Sequence, residues 1–365
     1  GLLGGRSKVK TDWALYNAAG AGRTDVVKLL LQYGARLNLP DSAPRHNVLA
    51  RAALSGSKGR IAVVRILLDA GADPNAELYR SDGTPDEPLL IQAVFLNTRS
   101  AEMVRLLLSA GVNPQAKNAR GQNTLAVLEW YKKNMDIALA LLDGGVSATD
   151  SSIYKTHKRT LLHWAVSVDN QALFDAALKA GVDVNQRDGE KVSPLLIAVR
   201  RGKPDFVRAL LKAGAPINES VAYSGMRFFD YTRTYEGRDD LLAEAVGAGN
   251  AEVIQILIAA GVNLDTAGNN YDFSAPLHIA AKKKRHDIAK ILLDAKSNPD
   301  PVDRNERTPL HLAVLGKDSA MVKLLLQAGA DPQRQDKEGK SVLDYSARHA
   351  TGTDIPALLQ QSGKK

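Results

Sequence analysis

The apolar residues of this chain recur in one pattern. A leucine-rich run is followed by two further residues, then by glycine and a small apolar residue. The first copy is LLLQYGA, which contains Gly34, and later copies follow at intervals of 33 residues or more. One copy, LLDAKSNP, has Lys296 in place of the glycine. A repeated interval of this length predicts ten stacked modules. The glycines of the pattern are Gly34, Gly71, Gly111, Gly145, Gly181, Gly214, Gly261, Gly329 and Gly363.

Each copy has the spacing of an amphipathic helix. Val26, Val27 and Leu30 recur at intervals that place them towards one side, and an acid such as Asp25 opens the helix, where it suits the helix dipole. Glycine after the last turn can adopt the left-handed conformation that closes a helix. Lys296 is therefore predicted to be left-handed too, at a cost of about 1 kcal/mol.

A shorter apolar helix precedes each of these helices. Its clearest forms are TPLHLA at 308–313, APLHIAA at 275–281 and TLLHWA at 160–165. Proline suits the first helical turn because the amide there has no intrahelical partner. Together with endings such as GADPN at 71–75, these segments resemble the ankyrin repeat, over roughly residues 11–363.

The resemblance implies an all-α repeat solenoid of about ten helix-turn-helix modules, each followed by a protruding loop or hairpin. It spans residues 1–365 as one array, with an N-terminal capping module at 7–35, central repeats at 44–330 and a C-terminal capping module at 340–363. The family uses its concave face and loops for binding. A longer loop at 218–238 interrupts the array.

Composition narrows the class of protein. The chain has 365 residues, of which 44% are hydrophobic and 24% charged, a net charge of +8 and no cysteine, so disulfides and thiolate sites are excluded. No apolar run approaches the ~20 residues of a membrane span, and the first residues are too few for a signal peptide. We expect a bacterial protein of the periplasm or the cytoplasm, with a preference for the periplasm.

The sequence predicts a protein that is not an enzyme. The common hydrolase, zinc and nucleotide-binding motifs are absent, and no acid–base pair stands out. His163, His278 and His311 occupy the TPLH position, where the resemblance implies a bond to loop backbone between modules. We therefore predict no catalytic residue, cofactor or metal. The alternative is an enzyme within the 218–238 loop, using Asp230 or Asp239.

Basic residues recur in the short turn between paired helices. Stacking of the modules would align them along the edge opposite the loops, where they serve as solvated turns or bind an acidic surface. They are Arg23, Lys58, Arg60, Arg99, Lys132, Lys133, Arg200, Arg201, Lys203, Lys282, Lys283, Lys284, Arg285 and Lys317.

Aromatic residues and arginines gather in the loops that are longer than the repeat requires. The loop at 218–238 has five of the chain's sixteen Phe and Tyr residues, a composition enriched at protein interfaces. The alternative is that these rings pack on their own loops. The predicted partner-binding residues are Tyr79, Arg80, Tyr154, Tyr223, Arg227, Phe228, Phe229, Tyr231, Arg233, Tyr235, Tyr271 and Phe273.

These patterns predict a module that binds a specific protein and inhibits or masks it. Some bacterial ankyrin proteins are immunity partners of a toxin or secreted effector, and irregular modules suit one dedicated client. The alternatives are a secreted effector that engages a host protein and a peripheral membrane or nucleic-acid binder that uses the basic turns. Nucleic acid is the least favoured partner because no motif promises base contacts. We expect a monomer in the absence of the partner.

Overall fold

The computed structural model describes residues 2–37, 46–95, 100–128, 134–149, 159–218, 241–266 and 274–362. Over these residues it contains twenty α-helices in ten pairs, isolated bridges in two loops and no strand, which confirms the predicted all-α repeat fold. The helices are α1 Leu2–Gly20, α2 Thr24–Gln32, α3 Val48–Ala53, α4 Arg60–Asp69, α5 Leu89–Phe95, α6 Ala101–Ser109, α7 Thr124–Leu128, α8 Met135–Asp143, α9 Leu161–Val168, α10 Gln171–Lys179, α11 Pro194–Arg200, α12 Pro204–Lys212, α13 Leu241–Ala248, α14 Ala251–Ala259, α15 Pro276–Lys282, α16 His286–Asp294, α17 Pro309–Leu315, α18 Ser319–Gln327, α19 Val342–His349 and α20 Ile355–Ser362.

The chain divides into two compact units. The first, Gly1–Asp183, contains α1–α10, and the second, Val184–Lys365, contains α11–α20. Within each unit, helices of one pair pack against the equivalent helices of the next, for example α2 on α4 and α15 on α17. This is the nearest-neighbour packing of a repeat protein, in which one module covers the apolar face of the next.

Where the structure describes the closing residue, the second helix of a pair ends as its sequence predicts. In α18, Met321 and Leu325 are fully buried, and the helix closes at Gly329, which has a φ of 92°. The other repeat glycines that the structure describes also have positive φ, between 73° and 91°. Lys296 has a φ of 71°, so the prediction that it is left-handed is confirmed.

Amide side chains in the loops join consecutive modules. The Nδ2 of Asn75 donates to the carbonyl of Gly111 over 2.9 Å, and its Oδ1 accepts the N–H of Asn113 over 2.6 Å. In the second unit, Asn218 donates to the carbonyl of Gly261 over 3.2 Å. Asn75 and Asn218 each lie four positions after the glycine of their own module, so the repeat sets the spacing of these bonds.

The TPLH histidines form a second type of bond between modules. The buried Nδ1 of His311 accepts the N–H of Thr308 over 3.1 Å, which leaves the proton on Nε2. That proton is donated to the carbonyl of Lys340, over 3.4 Å. His278 likewise donates to the carbonyl of Arg307 over 2.8 Å. The predicted bond to loop backbone between modules is confirmed for both residues.

His163 occupies the same position in the first unit. It is fully buried, and its Nδ1 accepts the N–H of Thr160 over 3.1 Å. Burial lowers the pKa of His278 and His311, which keeps these two rings neutral and able to accept the cap hydrogen bond.

Candidate functional site

Two of the twelve predicted partner-binding residues, Tyr79 and Arg80, lie in the described part of the chain. They are in a hairpin at 78–86, in the first unit. The others lie outside the described residues, so their placement stays a prediction. These are Tyr154, Tyr223, Arg227, Phe228, Phe229, Tyr231, Arg233, Tyr235, Tyr271 and Phe273.

The hairpin at 78–86 is held by its own backbone and side chains. The N–H of Arg80 donates to the carbonyl of Thr84 over 2.9 Å, and the N–H of Asp86 donates to the carbonyl of Leu78 over 2.7 Å. At the tip, Asp82 accepts both the N–H and the hydroxyl of Thr84, which lowers the pKa of its carboxyl group. Tyr79 is therefore presented on an ordered support.

A groove of about 220 Å³ lies between this hairpin and the first helices of the neighbouring modules. Its walls combine two half-buried tyrosines, exposed and half-buried polar groups, and a small apolar floor. Three modules contribute to it, and all belong to the first unit. The lining residues are Tyr16, Asn47, Ala50, Arg51, Leu54, Ser55, Leu78, Tyr79, Asp86 and Gln92.

An aromatic cluster supports one wall of the groove. The ring of Tyr16 packs edge-on against Trp13 at 5.7 Å and against His46 at 5.3 Å between centroids. The guanidinium of Arg51 lies over the Tyr16 ring, 5.4 Å from its centroid. At this distance a cation–π attraction orients the arginine in the groove.

Some charged side chains around the groove have a partner within the protein, and one has none in the described part of the chain. Asp86 pairs with the Nε of Arg80 over 3.2 Å, and Glu77 accepts the hydroxyl proton of Tyr79, which raises the pKa of that tyrosine. Arg51, in contrast, has no carboxylate partner among the residues that the structure describes, and its side chain is exposed. The groove thus offers an oriented cation beside aromatic rings.

Several of the predicted basic turn residues bind the protein itself. In the second unit, Lys283 donates from Nζ to the carbonyl of Gly247 over 2.7 Å, and Arg285 donates to the carbonyl of Val246. Both carbonyls belong to the last turn of α13, where positive charge is favourable. Arg200 pairs with Glu244 over 2.7 Å. Arg200 is thus paired with a carboxylate, whereas Lys283 and Arg285 bind neutral carbonyls of the neighbouring module and keep their charge.

Other turn residues keep their charge at the surface. Arg201, Lys284 and Lys317 are exposed. Arg99, Lys132 and Lys133 lie outside the described residues, as do Asp230 and Asp239. The described residues hold no group of three or more histidine, aspartate or glutamate side chains suited to a metal ion. None of the described helices has the length and apolar character needed to cross a membrane.

Sequence reasoning missed Tyr16 and Arg51. Both could have been found from the repeat register, because Tyr16 occupies the TPLH histidine position of the first module. Arg51 occupies a first-helix position at which other modules have apolar Ile197, Ile279 and Leu312. In α13 the same position is occupied by Glu244, so the charge alone does not mark the groove. The signal is a cation at this position in the module that follows the aromatic Tyr16.

Paired helices, left-handed glycine turns and histidine bonds between modules define a helical repeat scaffold. A family model described as "Ankyrin repeats (3 copies)" matches residues 2–77, 124–221, 162–267, 242–336 and 277–364. These matches cover more than half of the chain, which therefore belongs to the ankyrin-repeat family. Ankyrin repeats are a non-enzymatic scaffold for protein–protein interaction.

Curated relatives share the repeats over part of their length. The chain is 35% identical over 168 residues to a putative ankyrin repeat-containing protein of Treponema pallidum, covering 46% of this chain and 48% of that protein. It is 26% identical over 212 residues to protein glp-1 of Caenorhabditis elegans, with 47% and 16% covered. It is 27% identical over 207 residues to Rabankyrin-5 of mouse, with 56% and 14% covered. The chain thus spans less than half of each of these relatives.

Proposed function

We propose that this chain binds one dedicated protein partner through the groove of the first unit and the loops beside it, and thereby masks or inhibits that partner. One observation carries the proposal: Arg51, without a carboxylate partner in the described residues, is held over Tyr16 and beside Tyr79. Aromatic residues next to arginine dominate the binding energy of many protein interfaces.

The chemistry of the groove favours an acidic side chain of the partner. A carboxylate can accept hydrogen bonds from the guanidinium of Arg51 and from the Nδ2 of Asn47, which also lines the groove. Apolar atoms beside that acidic residue would pack on the two tyrosine rings. The partner segment is therefore expected to combine an acid with a neighbouring apolar residue.

The aromatic loop at 218–238, which belongs to the second unit, is a separate candidate contact for the partner. Its support comes from composition, since Phe228, Phe229 and Tyr231 lie together beside Arg227 and Arg233. A dedicated inhibitor needs a large, specific contact, and two aromatic–arginine surfaces suit this better than one. A toxin or secreted effector of the same bacterium is the partner that we propose.

A capture experiment with matched variants tests the binding surface. The immobilised chain is exposed to lysate of the native organism, alongside Arg51→Glu and the control Arg65→Glu, which makes the same charge change at an exposed position of α4. We expect one protein to be captured by the parent and by Arg65→Glu and lost by Arg51→Glu. Equal capture by all three would refute the groove as the contact.

Two further arms separate the remaining candidates. The variant Phe228→Ala, Phe229→Ala, Tyr231→Ala asks whether the 218–238 loop contributes. Capture that falls steeply with salt and is lost when Lys282 and Lys284 are neutralised would favour binding of an anionic surface instead. Inhibition is tested by co-expressing the captured protein with the chain. If co-expression changes neither the activity of the captured protein nor the growth defect that this protein causes in the host cells, the chain binds it without masking it.

A further inference from the structure

The first helices of the last three modules share an apolar row that faces solvent in part. The residue in question is the fourth of α15, α17 and α19, and its side chain is half-buried in each. In α15 and α17 the residues on either side of it in the chain are buried. Because α15 packs on α17 and α17 packs on α19, the three side chains form one continuous apolar ridge. The ridge residues are Ile279, Leu312 and Tyr345.

Tyr345 gives the ridge a fixed aromatic end. Its hydroxyl donates to Oδ2 of Asp336 over 2.6 Å, and its ring packs edge-on against His311 at 5.2 Å between centroids. The ring of His349 lies 5.9 Å from it. Burial and the hydrogen bond to Asp336 raise the pKa of Tyr345 to about 12, so the hydroxyl keeps its proton and its bond. A ring that is already ordered loses little conformational entropy when a partner packs on it.

Positive charge lies one helical turn beyond the ridge. Side chains three residues apart lie on the same face of a helix. Lys282 and Arg348 stand three residues after the ridge positions of α15 and α19 and are exposed, while Leu315 stands there in α17. No carboxylate of the described residues lies within ion-pair distance of Arg348. The ridge therefore has a flank of exposed cations, and the charge of Arg348 is not paired within the described chain.

The acids beside the ridge already have partners within the protein. The helices α15 and α17 contain no acid. Asp344 of α19 accepts the N–H of Ser341 over 2.8 Å and its hydroxyl over 2.7 Å. Glu244 occupies the ridge position of α13, where it ends the apolar row and pairs with Arg200 over 2.7 Å. The charge that this surface offers to a partner is therefore positive.

We propose that the ridge binds an acidic amphipathic helix of a protein partner. Helices that pack side by side are about 8–10 Å apart, so the ridge residues of successive modules have about this spacing. Residues seven positions apart on a helix are separated by about 10.5 Å along its axis. A helix that crosses α15, α17 and α19 can therefore set one apolar side chain against each ridge residue.

Spacing and charge both favour a helix with one acidic flank over other occupants. An extended segment presents side chains on one face every about 6.6 Å, which does not match the spacing of the modules. Acids on the face of the helix next to its apolar row meet Lys282 and Arg348, and this complementarity fixes the orientation of the helix. The contact lies within the second unit and does not depend on the groove of the first unit. Either proposal can therefore fail alone.

Fluorescence anisotropy with labelled synthetic peptides tests the ridge. The probe is a helical peptide of about 18 residues, with leucine at every seventh position, glutamate along one adjoining face and alanine elsewhere. The comparison peptide has the same composition, but its leucines are at every fifth position and so spread around the helix. We expect the full chain to bind the probe with a Kd below about 100 μM, and the comparison peptide about tenfold more weakly.

The variant Leu312→Arg separates apolar packing from attraction between charges. Arginine is the residue that α3 has at this position, as Arg51, so the fold accepts it. The change removes the centre of the ridge and adds a cation, and the affinity for the probe should fall about tenfold. An anionic membrane or a nucleic acid, attracted by charge alone, would instead prefer this variant, and tighter or equal binding of the probe would overturn the proposal.

Two charge reversals locate the contact. Arg348→Glu should weaken binding of the probe about fivefold, whereas Lys323→Glu, the same change at an exposed position of α18, should bind as the parent does. Arg51→Glu should also leave the affinity unchanged, because the groove is in the other unit.

Circular dichroism must show the helix content of the parent in each variant. If Leu312→Arg loses helix, Ile279→Arg replaces it, because it makes an equivalent change at the first ridge position. A parent that binds both peptides equally, or neither of them, overturns the proposal. So does an effect of Lys323→Glu as large as that of Arg348→Glu.

Discussion

Replacing Asp300 with asparagine should stabilise the second unit. Asp300 occupies the loop position at which Asn75 and Asn218 donate to a carbonyl of the next module. Its Oδ2 accepts the N–H of Asp331 over 3.0 Å, but its Oδ1 is buried without a hydrogen-bond partner. A carboxylate cannot donate to the carbonyl of Gly329, whereas the amide of asparagine can.

The expected gain is about 1 kcal/mol in the free energy of unfolding. A buried acceptor without a partner costs about 1–3 kcal/mol, and the lower end applies because Asp300 is half-buried and partly screened by water. In a cooperative unit of this size the gain raises Tm by about 2–4 °C. The assay is urea and thermal unfolding followed by circular dichroism.

The pH dependence supplies an independent check. Burial raises the pKa of the Asp300 carboxyl group, so the native state holds that proton more tightly than the unfolded chain does. The penalty of the ionised group is complete above the raised pKa and disappears as pH falls towards the ordinary value of 3.8. The advantage of Asp300→Asn should therefore be largest at neutral pH and shrink in acid.

A matched control is available at the equivalent loop position one module earlier. Asp265 accepts the hydroxyl of Ser297 over 2.7 Å and the N–H of Asn298 over 2.9 Å through one oxygen. Asparagine keeps the one oxygen that accepts both hydrogen bonds, and Asp265 is exposed, so Asp265→Asn should give no comparable gain. Equal stability of Asp300→Asn and the parent at neutral pH, or an equal gain from both variants, would refute the reasoning.

Three further predictions concern turns, histidines and the groove. Lys296→Gly should raise stability by about 1 kcal/mol by relieving the left-handed side chain, and a lower Tm would contradict this. Because burial lowers the pKa of His278 and His311, the urea midpoint should fall as pH decreases below 6.5, and a constant midpoint between pH 7 and 5 would contradict it. An ideal Cβ at Gly20 lies 2.5 Å from the Nε of Arg51, so Gly20→Ala should shift that guanidinium and weaken partner binding by about 1 kcal/mol with the helices intact. Unchanged affinity in the capture assay would show that the position of Arg51 over the ring is not used.

Local stereochemistry explains why so much of the fold is predictable. A helix must end where its last carbonyls are satisfied, and the left-handed turn that achieves this marks each module. Lys296 shows that the position in the repeat predicts the left-handed turn. Its φ of 71° was predictable from the repeat interval although the residue is not glycine. The histidine bonds follow equally from register, because the TPLH position is the same in each module.

Contacts between distant residues were not predictable in the same way. Lys283 and Arg285 formed a basic run in the sequence, but their acceptors are carbonyls of α13, which lie 36 and 39 residues earlier. The groove likewise joins Tyr16, Arg51 and Tyr79 from three modules. Residue type predicts a cation or a ring, whereas the stacking of modules decides which of them meet.

Many of the bonds that join neighbouring modules have a backbone carbonyl as acceptor. The Asn75 amide, the His278 ring and the Lys283 ammonium all donate to such oxygens. A carbonyl is present whatever side chain its residue bears, so a substitution in the accepting module leaves the bond in place. Selection can therefore alter exposed side chains module by module without redesigning the boundaries. Proteins of this type can therefore acquire substitutions in the contact surface one residue at a time, as a binding partner changes, and still fold.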